Sequence, residues 1–203
     1  MPRVVREYKE AAKNRILETA YRVFSEKGYR LTTMDDIATK LGVSKGTLYL
    51  YFNSKEELFK GIYETGPQAL EQIFASSFVK GDPLENAKVF FDKMTTQYAS
   101  NPALDFEVIS EASRNAALRK VLLGNYEKYI KATVRFLEQQ TNGLVGQFFE
   151  PRPLAQSLIA LWNGMETLLV VGYLPAEVRK AWTEAFKAIF SSFKQASKRT
   201  RVQ

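Results

Sequence analysis

Apolar side chains recur along this chain at intervals of three and four residues, the spacing that places them on one face of an α-helix. Between residues 33 and 59 the pattern falls into three short segments, each preceded by a serine or threonine. We therefore predict three consecutive short helices in this region. Their apolar positions are Ile37, Ala38 and Leu41 in the first, Leu48 and Phe52 in the second, and Leu58 and Phe59 in the third.

The residues between these segments predict where each helix begins and ends. Gly42 follows Leu41, at a position where left-handed backbone angles favour glycine. Ser44 is placed to cap the second helix. Capping-box patterns precede the first and third helices, and they pair Thr33 with Asp36 and Ser54 with Glu57.

Two short helices joined by a Gly-Val-Ser turn have the layout of a helix-turn-helix, which places its second helix in the DNA major groove. The face of that helix opposite Leu48 is small, polar and basic, so it can approach phosphates and base edges closely. The alternative is an ordinary small helical domain that happens to contain a glycine turn. An amphipathic helix upstream, closed by Gly28, favours the helix-turn-helix because it supplies a supporting helix.

Four motifs carry a more specific resemblance. The stretch from Ile16 to Phe59, within residues 10–60, resembles the DNA-binding domain of the TetR family of transcriptional regulators. The motifs are F-x-x-x-G-Y (Phe24, Gly28, Tyr29), T-T-x-x-x-I-A (Thr32, Thr33, Ile37, Ala38), G-V-S-K-G-T-L-Y-x-Y-F (Gly42 to Phe52) and S-K-E-E-L-F (Ser54 to Phe59).

The resemblance implies which residues contact DNA. It assigns phosphate contacts to helix N-termini at Thr33 and Lys55, and a further one to the Tyr49 hydroxyl. Bases are expected opposite the start of the second helix, with Lys45 contacting guanine and Thr47 packing on a thymine methyl. Tyr51 is either a DNA-backbone contact or packing. The full set of expected DNA-binding residues is Thr33, Ser44, Lys45, Gly46, Thr47, Tyr49 and Lys55.

The remainder of the chain carries only helical patterns. We expect an all-α fold of about nine helices, with a three-helix DNA-binding domain at residues 8–60 and a helical effector-binding and dimerisation domain at residues 61–203. Gly66-Pro67 is expected to end or kink the helix that begins after Ser54, with helix resuming at Ala69. In the resembled family this helix links the two domains, so the joint is a candidate hinge.

The last two long helices carry wide apolar stripes, each with a tryptophan, Trp162 and Trp182. Because family members usually dimerise through their last two helices, we expect a homodimer that places two recognition helices on a pseudopalindromic operator. The alternative is that these helices only close the core of one subunit.

Aromatic and apolar residues of the second domain are candidates for the wall of an elongated effector pocket, although helical spacing alone equally suits a packed core. Arg114 lies near them as a surface residue or as the polar end of a ligand site, which makes a fatty acyl-CoA a candidate effector. The candidate effector-binding residues are Phe74, Phe90, Phe91, Met94, Tyr98, Phe106, Arg114, Tyr126, Tyr129, Trp162 and Met165.

Composition narrows the chemistry. The 203 residues include no cysteine and no histidine, so we expect neither a metal site nor a cofactor. We find no phosphate-binding loop, dinucleotide fingerprint or nucleophile elbow, and a helical enzyme remains only a remote alternative.

No apolar run reaches the roughly 18 residues of a membrane span, and Met1-Pro2-Arg3 begins no signal-peptide pattern, so we expect a cytoplasmic protein.

Charge agrees with a nucleic-acid partner. The formal net charge is +7, and residues 1–60 carry 12 basic against 8 acidic side chains, while residues 61–193 carry 13 against 14.

Taken together, the motifs, the resemblance and the charge predict a dimeric transcriptional repressor that binds double-stranded DNA and is released by a small hydrophobic effector. The alternative is a DNA-binding regulator without a ligand, controlled by a partner protein or by its abundance.

Overall fold

The structure is a computed structural model that describes residues 3–79, 81–96, 101–141, 143 and 145–200. These residues form helices and turns and contain no strand, which confirms the all-α prediction. None of their helices is long and apolar enough to cross a membrane. The helices are α1 (Arg3–Lys27), α2 (Met34–Leu41), α3 (Lys45–Tyr49), α4 (Lys55–Ile62), α5 (Gly66–Ser77), α6 (Pro83–Thr96), α7 (Pro102–Ala112), α8 (Ala116–Gln140), α9 (Val145–Phe148), α10 (Pro151–Val170) and α11 (Pro175–Thr200).

The chain divides into two compact units. The first comprises Met1–Thr65 and Asn101–Tyr126, and the second comprises Gly66–Ser100 and Glu127–Gln203. Helix α7 and the first part of α8 therefore lie with the helix-turn-helix, whereas the predicted division at residues 60 and 61 assigns them to the second domain. The functional roles of the two domains stay a prediction.

The core of the first unit forms where α1, α2, α3, α4 and α7 bury their apolar faces. Phe24, Ile37, Leu48 and Leu58 are completely buried there, which confirms the helical periodicity of residues 16–59. Val108 of α7 is equally buried and joins the same cluster. Burial of these side chains supplies most of the stabilisation available to helices as short as α3, because five residues are too few to hold a helix alone.

Gly28 ends α1 with left-handed backbone angles at φ 81°, as the sequence pattern predicts. Its N–H donates to the Phe24 carbonyl at 2.9 Å. A Cβ atom at this position would lie 2.7 Å from Glu107 Oε2, in addition to the strain of a positive φ. Glycine is therefore favoured here by its backbone angles, and a larger residue would also displace the Glu107 carboxylate.

The junction between α4 and α5 differs from the expectation. Helix α4 ends at Ile62 and α5 begins at Gly66, so the predicted start at Ala69 is wrong by three residues. Pro67 occupies the first turn of α5, where its missing N–H removes no helical hydrogen bond, so proline begins this helix and does not interrupt it.

The capping of α4 also differs in part. The Ser54 hydroxyl accepts from the Glu57 N–H at 3.2 Å, as predicted. The Glu57 carboxylate, however, accepts from the Asn53 N–H at 2.7 Å and not from Ser54, so the predicted capping box is only half formed. The carboxylate still satisfies a backbone donor next to the helix start, one residue earlier than expected.

The core of the second unit is built around aromatic rings. Phe74 stacks on Phe90 and Phe136, with ring centroids 5.1 Å and 4.1 Å apart. The Trp182 ring stacks on Phe90 at 5.5 Å, and its indole N–H donates to the Ala87 carbonyl at 2.9 Å. Helices α5, α6, α8 and α11 are thus joined through one aromatic cluster.

Replacing Gly28 and Gly42 separately by alanine tests whether the Glu107 carboxylate resists a side chain at position 28. Both residues have a φ near 80°, but nothing lies within 4 Å of a Cβ at Gly42. We expect Gly42→Ala to lower the free energy of unfolding by about 1 kcal/mol, the cost of left-handed angles alone. Gly28→Ala should cost at least about 2 kcal/mol, because the Glu107 carboxylate must also move off its backbone donors.

Urea denaturation of the two variants gives the comparison directly. Equal losses would mean that the carboxylate moves aside without cost and that its contacts hold nothing.

Candidate nucleic-acid interface

Helix α2 begins at a complete capping box. The Thr33 hydroxyl accepts from the Asp36 N–H at 3.1 Å, and the Asp36 carboxylate accepts from the Thr33 N–H at 2.7 Å. Lys27 lies 2.7 Å from the same carboxylate, and its hydrogen bond together with those from Thr33 holds the pKa of Asp36 well below the usual range. Asp36 therefore stays ionised, and the start of α2 is fixed as predicted.

The turn between α2 and α3 also has the predicted form. Gly42 has a φ of 77°, and its N–H donates to the carbonyls of Ala38 and Thr39. The Ser44 hydroxyl accepts from the Thr47 N–H at 3.1 Å, and the two hydroxyls lie 2.8 Å apart. These bonds fix the direction in which α3 leaves the turn.

One face of α3 is open to solvent. Leu48 is completely buried on the opposite side, while Lys45, Gly46 and Tyr49 are exposed and Thr47 is half-buried. All residues expected to face bases therefore lie on the accessible side of one short helix. Their contact with DNA stays a prediction.

Lys45 has a partner within the protein. Its ammonium group lies 2.8 Å from the Asp35 carboxylate of α2, and this hydrogen bond raises the pKa of Lys45. Both side chains are more than half exposed, so the pair is weakly held and Lys45 can exchange it for an acceptor on DNA. Asp35 is thus a competitor for the predicted guanine contact.

Lys55 is turned toward the segment between α1 and α2, residues 28–32. Its ammonium group donates to the carbonyls of Tyr29, Arg30 and Thr32 at 3.0, 3.3 and 3.4 Å. It also lies 4.5 Å from the centre of the Tyr29 ring, within reach of a cation–π interaction. In this arrangement Lys55 positions the chain that leads into α2, and its predicted phosphate contact requires the backbone N–H or a change of side-chain conformation.

The same segment is held from its other side by α7. The Glu107 carboxylate accepts from the N–H groups of Tyr29 and Arg30, both at 2.9 Å. Within this segment the N–H groups of Tyr29 and Arg30 are therefore paired with an anion, and the carbonyls of Tyr29, Arg30 and Thr32 are paired with a cation. We call this arrangement the Glu107–Lys55 clamp.

Two further polar contacts join the α7 region to the helix-turn-helix unit. The Tyr63 hydroxyl donates to Asp105 at 2.5 Å, and the Asn115 amide donates to Glu56 at 3.0 Å. Burial raises the pKa of Asp105, and the hydrogen bond from Tyr63 opposes that shift. The contacts of Asp105, Asn115 and Glu107 were not predicted, because their partners lie 42 to 78 residues away in sequence and no local pattern links them.

The candidate effector residues do not all fall in one unit. Phe106, Arg114 and Tyr126 belong to the first unit, where Arg114 is exposed, and Tyr98 lies outside the described residues. The candidates in the second unit are Phe74, Phe90, Phe91, Met94, Tyr129, Trp162 and Met165.

Several candidates in the second unit contact one another. Trp162 meets the rings of Phe90 and Phe91, each at a centroid distance of 5.9 Å. Phe90, Phe91 and Met94 are at most 6% exposed. These contacts are those of a packed aromatic core, and the role of the residues as an effector site stays a prediction.

The chain is similar to bacterial transcriptional regulators. Residues 16–62 match the family model of bacterial regulatory proteins of the tetR family. The chain is 33% identical over 158 residues to the HTH-type transcriptional regulator YfiR of Bacillus subtilis, and this alignment covers 76% of each chain. It is 28% identical over 193 residues to IcaR of Staphylococcus aureus, a negative transcriptional regulator of the biofilm operon icaADBC, covering 90% of this chain and 91% of IcaR.

A solved structure agrees in fold. The fatty acid degradation regulator FadR from Bacillus halodurans superposes with a TM-score of 0.66 at 21% identity, covering 86% of this chain and 93% of that one. This likeness concerns the arrangement of the helices.

The two lysines of the interface are expected to differ in their effect on folding. Lys55→Ala removes the donor from three carbonyls and should lower the free energy of unfolding by about 1 kcal/mol. Lys45→Ala breaks an exposed ion pair and should leave the free energy of unfolding unchanged. Chemical denaturation of both variants measures the difference. Unchanged stability in Lys55→Ala would show that Lys55 does not hold residues 28–32.

Proposed function

The chain belongs to the TetR family of bacterial transcriptional regulators, and on that premise we propose that it is a repressor that binds a pseudopalindromic operator as a homodimer. Regulators of this family bind DNA and are not enzymes. A small hydrophobic effector, with fatty acyl-CoA as the first class to test, releases the repressor from its operator.

The observation that carries the DNA-binding role is the exposed face of α3. Its start is capped by Ser44, its opposite side is buried through Leu48, and Gly46 at its second position has no side chain. A major groove of about 12 Å admits an α-helix, and a helix with a small first turn comes closest to the base edges. Lys45 then supplies a donor that suits the O6 and N7 acceptors of guanine.

Phosphate contacts are assigned to the start of α2. Two aspartates, Asp35 and Asp36, lie in its first turn and would repel phosphate if unpaired. Lys45 pairs with Asp35 and Lys27 with Asp36, which lowers that repulsion. Thr33, whose hydroxyl already caps the helix, stands at this N-terminus next to the paired charges.

Dimerisation is assigned to α10 and α11. Leu161, Leu168 and Leu169 of α10 are only half-buried although they belong to the apolar side of that helix, and Val170 and Val171 at its end are exposed. Covering this surface with a second copy would place two recognition helices about 34 Å apart or a multiple of that distance.

Repression and effector release rest on the relatives. IcaR is a negative regulator, and this chain aligns with nine-tenths of it. FadR is named for fatty acid degradation, which makes an acyl chain the first class of ligand to test. The second candidate is a regulator without a small-molecule ligand, and the direct stacking of Phe74 on Phe90 and Phe136 favours it.

Three substitutions test the DNA-binding role against an operator selected from a random duplex pool. Lys45→Ala should reduce the preference for that operator over unrelated DNA, because the predicted guanine contact is lost. Lys55→Ala should weaken binding to all sequences alike and lower the slope of log affinity against log salt by about one, because the Lys55 ammonium group exchanges its carbonyl partners for a phosphate in the proposed complex. Asp35→Asn should strengthen binding to all sequences, because it removes a negative charge near the phosphates and frees Lys45.

Fluorescence anisotropy at several salt concentrations measures all three. An equal loss of affinity on every sequence for both lysine variants would contradict the assignment of a base contact to Lys45 and a phosphate contact to Lys55. If neither variant changed DNA binding, the predicted DNA contacts of α3 and α4 would be wrong.

A ligand series tests the effector. We expect saturated acyl-CoAs to raise the melting temperature with a dependence on chain length and to release the protein from its operator, because a ligand that binds one state shifts the equilibrium by mass action. Free coenzyme A is the control that carries the phosphates without the tail. No thermal shift at any chain length would reject this effector class and favour the ligand-independent regulator.

A further inference from the structure

Among the large apolar residues whose side-chain exposure the structure describes, Leu50 is the most exposed, at 83%. It directly follows α3, and its N–H donates to the Gly46 carbonyl at 3.2 Å. Its backbone angles, φ −67° and ψ −20°, continue the helix. Leu50 therefore continues the helical turn of α3, and its direction from the helix follows from helical geometry.

Helical geometry places Leu50 in the middle of the exposed face. Each residue turns the helix by about 100°, so Leu50 lies between Gly46 and Thr47 and well away from the buried Leu48. Helical side chains lean toward the N-terminus, which directs the Leu50 side chain over Gly46. Because Gly46 has no side chain, nothing from the preceding turn covers the leucine.

Thr47 is less free than Leu50 to meet a base. It is half-buried, and its hydroxyl lies 2.8 Å from the Ser44 hydroxyl within the cap of α3. The apolar group that extends furthest from this helix thus belongs to Leu50, which the sequence patterns did not single out.

The major-groove edge of B-DNA offers one apolar group, the C5-methyl of thymine. We propose that Leu50 is a specificity-determining residue that packs against a thymine methyl in the operator. The inference rests on the proposed DNA-binding function. Burial of one methyl group corresponds to about fourfold in affinity for each half-site.

Deoxyuridine provides the test, because it lacks only the C5-methyl of thymidine. The full-length protein selects sites from a random duplex pool, and the selected duplex is then synthesised with each thymine replaced singly by deoxyuridine. Wild type should lose about fourfold in affinity at one position of a half-site. Leu50→Ala should bind the thymine and deoxyuridine duplexes equally at that position, with an unchanged melting temperature since the side chain is exposed.

Thr47→Ser is the matched control. It removes the threonine methyl, keeps the capping hydroxyl, and should retain the full deoxyuridine penalty at the Leu50 position. If Leu50→Ala retains that penalty at every thymine, or if wild type shows none, the proposal is overturned. If the penalty disappears in Thr47→Ser alone, thymine is read by Thr47. If no sequence is selected at all, the DNA-binding function itself fails, and this inference fails with it.

Discussion

The Glu107–Lys55 clamp is the interaction on which the DNA-facing surface depends. Backbone N–H and carbonyl groups away from regular structure need partners, and Tyr29 and Arg30 obtain theirs from the Glu107 carboxylate on one side and the Lys55 ammonium group on the other. Thr33 follows this segment directly and begins α2. The clamp therefore holds the segment from which α2 begins, and the turn at Gly42 sets how α3 follows α2.

The clamp also explains why α7 belongs to the helix-turn-helix unit. Glu107 can reach the N–H groups of Tyr29 and Arg30 because Gly28 has no Cβ in its way. Apolar burial of Val108 on the same helix brings α7 against the unit, and the carboxylate fixes its register. A shift of α7 would move the Glu107 carboxylate away from the Tyr29 and Arg30 N–H groups. The segment that leads into α2 would then lose these hydrogen bonds.

Local features of this structure could be predicted from sequence, and long-range ones could not. The capping box at Thr33, the left-handed Gly42 and the Ser44 cap involve residues within four positions of one another, so residue type and spacing are sufficient. The contact of Glu107 with Tyr29 joins residues 78 positions apart, and no periodicity encodes it. Pro67 was misjudged because proline both ends and begins helices, and only the neighbouring structure decides between the two.

The candidate sites divide in the same way. The exposed face of α3 follows from the periodicity of Leu48 and Phe52, so its polar residues could be predicted. Leu50 was missed since an isolated apolar residue is ordinarily counted toward a core, and exposure becomes known only from the structure. The effector candidates were chosen by residue type alone, which cannot distinguish a pocket wall from the stacked rings of Phe74 and Phe136.

A crystal structure of the full chain bound to its selected operator duplex tests the central claim most directly. The account predicts α3 of each of two copies in successive major grooves, with its exposed face toward the base edges and Thr33 beside a phosphate. A complex in which α3 remains exposed to solvent, with DNA bound by another surface, would contradict it.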